Sequence, residues 1–257
     1  MFKQQGGFWL YFLGIIIMFL LLFYLAQLAT GRASLGLGST KPTSTPKVTQ
    51  VAGKTPTPTN TSSSKGLDIT KDYYAEIITT LGTIKIDLFE RNAPNTVANF
   101  IDLANSGYYS NTKFYKLIPG VMVQGGSKDN STTGGPGYTI PDEINWDSLD
   151  YDEDLRVQLR AEGYTSIKKL ASIDVGKYTL AMVSPKPNSA GSQFAILLSG
   201  KENPDILKLR GRVTVFATII EDTSVIEKIA SVPLDISGAF PKPKDDIVIN
   251  QIKIYSK

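Results

Sequence analysis

The spacing of apolar side chains changes character twice along the chain, marking three regions. From Gln4 to Gly31 no residue carries a charge, and Phe8 to Leu28 is almost wholly apolar. About twenty residues at 1.5 Å rise cross a hydrocarbon core of about 30 Å, so residues 1–30 are predicted to hold one membrane-spanning helix. Trp9, Tyr11 and Tyr24 lie near its ends, where interfacial aromatics sit. A cleaved signal peptide is the alternative, but its apolar region would be shorter, and no small-x-small site follows. Over residues 31–70 the apolar positions give way to Thr, Ser, Pro, Gly and Lys, as in Thr55-Pro56-Thr57-Pro58. Such a segment cannot offset the entropy of ordering, and it reads as a flexible linker extended by its prolines.

From residue 71 to 257 periods of two and of 3.6 alternate, the pattern of a folded, mainly β domain. Ile84, Ile86 and Leu88 alternate with Lys85 and Asp87, predicting a half-buried strand paired with Tyr74–Thr79 through a turn at Leu81-Gly82. Val97, Phe100, Ile101 and Ala104 fall at helical spacing between Pro94, suited to a first turn, and Gly107, suited to a stop. The stretch Phe114-Tyr-Lys-Leu-Ile-Pro-Gly-Val-Met-Val-Gln-Gly-Gly126 is two apolar strands broken at Pro119-Gly120 and ended by a double glycine. Met122 and Gln124, two apart, are predicted to share one face. Further strands are expected at Tyr178–Val183, Gln193–Leu198, Arg212–Ile220 and Ile247–Tyr255. A helix capped by Asp222 is expected to turn Val225, Ile226 and Ile229 inward. Leu155, Leu159, Ile167 and Leu170 suggest one or two short helices between Asp150 and Ala171.

Composition narrows the chemistry. The chain has neither cysteine nor histidine and a net charge of +3. Disulfides, thiol nucleophiles, a Ser-His-Asp triad and His-containing zinc sites are thereby excluded. The charge is too small, and the basic residues too scattered among aromatics, to argue for nucleic acid. Gly134–Ile144 is glycine-rich but lacks the Gly-Lys-Ser/Thr of a phosphate loop. The acids between Asp147 and Glu153 lack EF-hand spacing and read as a solvated face. No cofactor or metal is implied. What remains is chemistry that needs little proton transfer.

Two segments carry a resemblance. Phe114–Gly126 resembles the first signature of the cyclophilins, peptidyl-prolyl cis-trans isomerases. Leu180-Ala-Met-Val-Ser-Pro-Lys-Pro-Asn-Ser-Ala-Gly-Ser-Gln-Phe-Ala-Ile196 resembles the second, in the expected order. The resemblance runs from about Tyr73 to the C-terminus. It implies a closed antiparallel β-barrel capped by two helices, with an insertion at about 143–176. Lys116 stands where the family has an arginine that stabilises the twisted prolyl amide; lysine keeps the charge but loses the planar fork. Gln124, Met122 and Gln193 match family residues. Val121 and Ala195 stand where pocket phenylalanines sit, and Val183 where an alanine is usual. Leu209 falls at a pocket position, Lys208 where a tryptophan often sits and Val213 where a histidine sits. The site is thus expected to comprise Lys116 and Gln124 as catalytic residues, with Val121, Met122, Val183, Gln193, Ala195, Leu209 and Val213 binding substrate.

The expected function is that of a membrane-tethered, monomeric prolyl isomerase acting on proline-containing polypeptide segments and assisting protein folding. The stripped aromatics leave open a binding module of weak or no turnover, or a structural domain on a stalk. Lys3 before the span and Arg32, Lys41 and Lys47 after it favour a cytoplasmic domain, a rule that long domains override. The absence of cysteine and the Thr/Pro-rich stalk suit an extracytoplasmic one, which is the expectation adopted.

Overall fold

The computed structural model describes residues 66–257; the apolar N-terminal stretch and nearly all of the linker lie outside them. Among the described residues no helix is long and apolar enough to cross a membrane. The first hairpin follows the alternation read from the sequence. β1 (Tyr73–Thr79) and β2 (Gly82–Leu88) pair antiparallel, with Ala75 opposite Ile86 and Ile77 opposite Ile84. Those four side chains are buried and Lys85 is exposed, because successive strand residues point to opposite faces.

Seven further strands extend this pair among the described residues. In spatial order the sheet runs β3 (Thr112–Lys113), β11 (Val248–Ser256), β1, β2, β8 (Val215–Ile219), β6 (Thr179–Met182), β7 (Phe194–Leu197), β5 (Met122–Gly125) and β4 (Lys116–Ile118). Every pairing is antiparallel. β9 (Leu234–Asp235) and β10 (Lys242–Pro243) form a separate two-stranded ribbon. Where the resemblance implies a closed barrel, the ladder of strands is a curled sheet with two ends, β3 and β4. Only Phe114 and Tyr115 separate those ends: the Phe114 N–H donates to Ile247 O at 3.0 Å, and the Tyr115 N–H to Gln124 O at 3.1 Å.

The concave side is filled by one apolar cluster. Leu117, Val123, Leu180, Phe194, Ile196 and Phe216 come from the strands, and Phe100, Ile101, Ile226 and Ile229 from two helices. Phe194 meets Phe100, Tyr109 and Phe114 edge-on, at centroid distances of 5.8, 5.7 and 6.2 Å, the arrangement the ring quadrupole favours. The first helix, α1 (Pro94–Asn105), buries Val97, Phe100, Ile101 and Ala104, as its spacing predicts. Its N-cap, Ala93, has no capping side chain. Glu143 caps it instead from a distant loop: its carboxylate accepts from the Asn95 N–H at 3.0 Å and the Thr96 N–H at 2.8 Å. Negative charge there satisfies orphan donors and opposes the helix dipole.

Three shorter helices follow. The region between Asp150 and Ala171 holds a single helix, α2 (Glu153–Ala161), capped by Asp152, which accepts from the Leu155 N–H at 2.8 Å. Leu159 is its buried residue, while Ile167 and Leu170 lie beyond its end. α3 (Pro204–Leu207) is one turn. In α4 (Ser224–Ala230), Ile226 and Ile229 point inward as expected, but Val225 is half-buried against Gly82. The N-cap is Thr223; Asp222 sits one residue earlier and accepts from the Ser224 N–H at 2.8 Å. Ile144, Trp146, Tyr151 and Leu159 form a small apolar core of their own within 143–176.

Candidate active site

The convex face of the same strands carries the residues singled out above. In an antiparallel ladder, residues directly opposite one another share a face. One row reads Lys116, Gln124, Ala195, Ala181 and Val215 across β4, β5, β7, β6 and β8. The next row reads Ile118, Met122 and Leu197. Met122 and Gln124 therefore do share a face, and it is the one turned away from the core. A second apolar cluster lies on this side: Val121, Ala181, Leu197, Ile206 and Val215, with Met122, Leu209 and Val213 half-buried against it. The turn at Pro119-Gly120 closes with the Val121 N–H donating to Ile118 O at 3.0 Å, which carries Val121 onto this patch.

The polar end of the row is tightly bonded. Gln124 is 2 % exposed. Its Nε2 donates to the Tyr115 hydroxyl at 2.7 Å and to Gln193 Oε1 at 2.9 Å. With both amide hydrogens engaged, Oε1 is the remaining hydrogen-bonding atom of that side chain. The Tyr115 hydroxyl in turn donates to Gln193 Oε1. Burial pushes the Tyr115 phenol well above its ordinary value, so it stays a neutral donor. Gln193 Nε2 donates to Thr132 O at 3.1 Å and Gly134 O at 2.6 Å, tying the glycine-rich loop to the site. The double glycine has a steric reason. Gly126 has φ +83°, and a Cβ there would stand 2.5 Å from Ser192 O.

Lys116 is half-buried, and its Nζ makes no salt bridge among the described residues; it lies 5.6 Å from the centroid of the Phe240 ring. Phe240 also packs edge-on against Tyr115 at 6.1 Å, and the Leu117 N–H donates to Pro241 O at 3.0 Å. An ammonium over an aromatic face is held without being neutralised. Neither Tyr115 nor Phe240 is singled out by the sequence pattern. A phenol inside an apolar strand calls for a buried partner, and that is the one signal Tyr115 offers. Phe240 comes from a loop far along the chain, and no local pattern marks it.

The structure thus gathers Lys116, Gln124, Gln193 and Ala195 at one end, and Val121, Met122, Leu209 and Val213 at the other. Val183 lies beside Gln193, its N–H donating to Gln193 O at 2.9 Å. Beyond these two opens a cavity of about 890 Å³ between residues 132–139 and the segment from Val183 to Gln193. Lys208 is not part of the apolar patch; it is exposed and paired with Asp205 at 2.6 Å. Chemically, the arrangement offers an unneutralised cation and fixed amides beside an aliphatic floor, suited to gripping a neutral extended peptide.

The fold has relatives among known proteins. Residues 74–254 match the family model described as cyclophilin type peptidyl-prolyl cis-trans isomerase/CLD. A peptidyl-prolyl cis-trans isomerase of Synechococcus elongatus is 53% identical over 64 residues, 25% of this chain and 44% of that protein. A putative bifunctional phosphatase/peptidyl-prolyl cis-trans isomerase of Streptococcus pyogenes is 32% identical over 203 residues, 70% of this chain and 38% of that one. The chain therefore spans less than half the length of either. It covers 91% of peptidyl-prolyl cis-trans isomerase A of Mycobacterium tuberculosis, at 32% identity over 197 residues. Among solved structures, a cyclophilin type isomerase of Cryptosporidium parvum superposes with a TM-score of 0.56 at 31% identity, covering 72% of this chain and 99% of that one. The same Cryptosporidium protein has also been solved in the presence of the dipeptide Ala-Pro, with a TM-score of 0.55.

Proposed function

Because the chain belongs to the cyclophilin type peptidyl-prolyl cis-trans isomerase family, we propose that it binds proline-containing polypeptide segments along the convex row and catalyses rotation about the X–Pro bond. The barrier to that rotation, about 18–20 kcal/mol, is the loss of amide resonance. Twisting returns charge from the carbonyl oxygen to the nitrogen, which gains a localised lone pair able to accept a hydrogen bond. A preoriented cation next to the twisting amide stabilises that state more than the planar one. Lys116 supplies the cation, and Gln124 Oε1 is placed across the strand pair to accept from the substrate backbone. Val121, Met122, Leu209 and Val213 form the floor for the proline ring, with Ala195 between the two ends. Val183 and Gln193 border the adjoining cavity, where residues flanking the proline would lie. No proton changes hands, in keeping with a chain that has no histidine.

The observation that carries this reading is Lys116: a cation without a salt-bridge partner among the described residues, held over Phe240 and in register with Gln124. The test is exchange spectroscopy on a proline peptide with the full-length chain. Cis-trans exchange far above the uncatalysed rate is expected for the native protein, with Lys116→Ala near background. A native rate equal to background refutes it.

One observation favours a second reading, a peptide-binding module with little turnover. Small aliphatic side chains occupy positions 121 and 195, and Lys208 is turned to solvent. Peptide-induced shifts at Met122 without exchange cross-peaks are its signature.

The remaining elements belong to the same proposal. The apolar stretch within 1–30 tethers the domain to a membrane and residues 31–70 hold it off, on the extracytoplasmic side. There the monomeric domain assists folding of exported chains. Reading β3, Phe114, Tyr115 and β4 as one bent strand closes the barrel; the hydrogen bonds of Phe114 and Tyr115 to opposite ends of the ladder support that reading.

A further inference from the structure

Residues 208–214 connect α3 to β8 and present Leu209 and Val213 to the apolar patch. The three residues between these two side chains all dock onto the segment 143–176. Arg212 makes a two-pronged contact with Glu162, Nε to Oε2 and Nη2 to Oε1, both at 2.7 Å. Its Nη1 turns back to Lys208 O at 3.1 Å, so one guanidinium ties the loop to itself and to the C-terminal cap of α2. Gly211 is buried at φ +73°, and a Cβ there would overlap Leu159 Cδ1, in the small core of the segment. Arg210 stacks on the Tyr151 ring at 4.4 Å and reaches Asp174 at 3.3 Å. Asp174 is itself fixed by the Tyr151 hydroxyl at 2.8 Å and by Lys201 at 2.7 Å.

The core of this segment is separate from both apolar clusters of the sheet, although Val175 at its end joins the convex one. Its side-chain contacts to the loop run through the two arginines between Leu209 and Val213, and the Glu143 N–H donates to Thr214 Oγ1 at 2.8 Å. A planar fork bound at two points fixes direction as well as distance. We infer that the segment 143–176 is a brace for one wall of the peptide cleft, with Glu162 and Asp174 as positioning residues that set where Leu209 and Val213 stand. Neither acid is in the apolar patch that would touch substrate; they act through Arg212 and Arg210. This rests on the cleft being the peptide site.

The test uses the full-length chain with Glu162→Gln, Arg212→Lys and the exchanged pair Glu162→Arg with Arg212→Glu. The first readout needs no substrate: the 13C methyl shifts of Leu209 and Val213. Both single variants are expected to move them, and the exchanged pair to return them toward the native positions. The second readout is steady-state isomerisation of a proline peptide. A partly exposed charge-assisted pair is worth about a fivefold effect, so KM is expected to rise about fivefold with kcat held within about twofold. Unmoved methyl shifts overturn the brace whatever the activity. Moved shifts with unchanged KM overturn its role in the cleft. If the native chain shows neither turnover nor peptide binding, the functional reading fails, and the methyl shifts alone then decide the brace.

Discussion

Strands β4 to β8 have two faces built by different rules. The concave face is filled by Leu117, Val123, Leu180, Met182, Phe194, Ile196 and Phe216, each with no exposed surface. The convex face holds Lys116, Met122, Gln124, Ala181, Ala195 and Val215. Where the two meet in sequence the contrast is sharpest: Phe194 sits among three other aromatic rings, and Ala195 faces Gln124 on one side and Ala181 on the other. A large side chain lost from the first face leaves a cavity that the core cannot collapse around. The second face carries small side chains there, Ala181 and Ala195, both buried. The fold therefore draws most of its bulk from the concave face and little from the convex row.

The comparison breaks most visibly at Phe194. Phe194→Ala is expected to cost about 3–5 kcal/mol, a large fraction of the stability of a marginally stable domain, read by chemical denaturation. A loss under about 1 kcal/mol would mean the concave face is no more demanding than the convex one. Lys116→Ala should do the opposite: kcat/KM down about a hundredfold, comparable to removing one preorganised electrostatic donor, with the unfolding midpoint nearly unmoved. If stability falls along with activity, Lys116 belongs to the structure and not to the site.

A gain sharpens the contrast further. Ala195→Phe adds an aromatic surface to the convex row and is expected to tighten proline-peptide binding about tenfold through added apolar contact, measured by titration. Weaker binding would show that the floor of the cleft lies elsewhere.

The smallest effect is in pH. With neither His nor Cys in the chain, turnover is expected to be flat from about pH 6 to 9. Hydrogen bonding from Arg212 holds the Glu162 carboxyl below its ordinary value. Burial pushes the Asp174 carboxyl up, but bonds from Lys201, Tyr151 and the Val175 N–H outweigh that and hold it low. A carboxyl depressed on folding stabilises the fold above its unfolded value, and the contribution is lost as pH falls through the folded one. The 143–176 contacts should therefore loosen below about pH 4, before the concave core does, seen as early shifts of the Val213 methyls. Simultaneous loss of both would make the segment part of a single cooperative core.

Much of the fold is legible in the order of residues alone. Alternation places Ile84 and Ile86 inward, helical spacing places Phe100 and Ile101, and the double glycine after Gln124 marks a close backbone approach that Ser192 O accounts for. Period-two and period-3.6 patterns are local, and burial selects them directly. The same spacing overstates the helix content of 150–171, because Ile167 and Leu170 fall at helical positions although the helix ends at Ala161.

The residues that complete the cleft carry no such local mark. Phe240 over Lys116, Tyr115 under Gln124, Glu143 capping α1, and Glu162 gripping Arg212 are all contacts made by chain closure. By itself the sequence determined most of the side chains that turn inward, which strands pair in the first hairpin, and which acid–base chemistries are impossible. Tertiary structure alone decided which partners stand beside the lysine and what holds the wall of the cleft. Periodicity is a property of neighbours, while a site is assembled from distant segments whose meeting depends on the whole sheet.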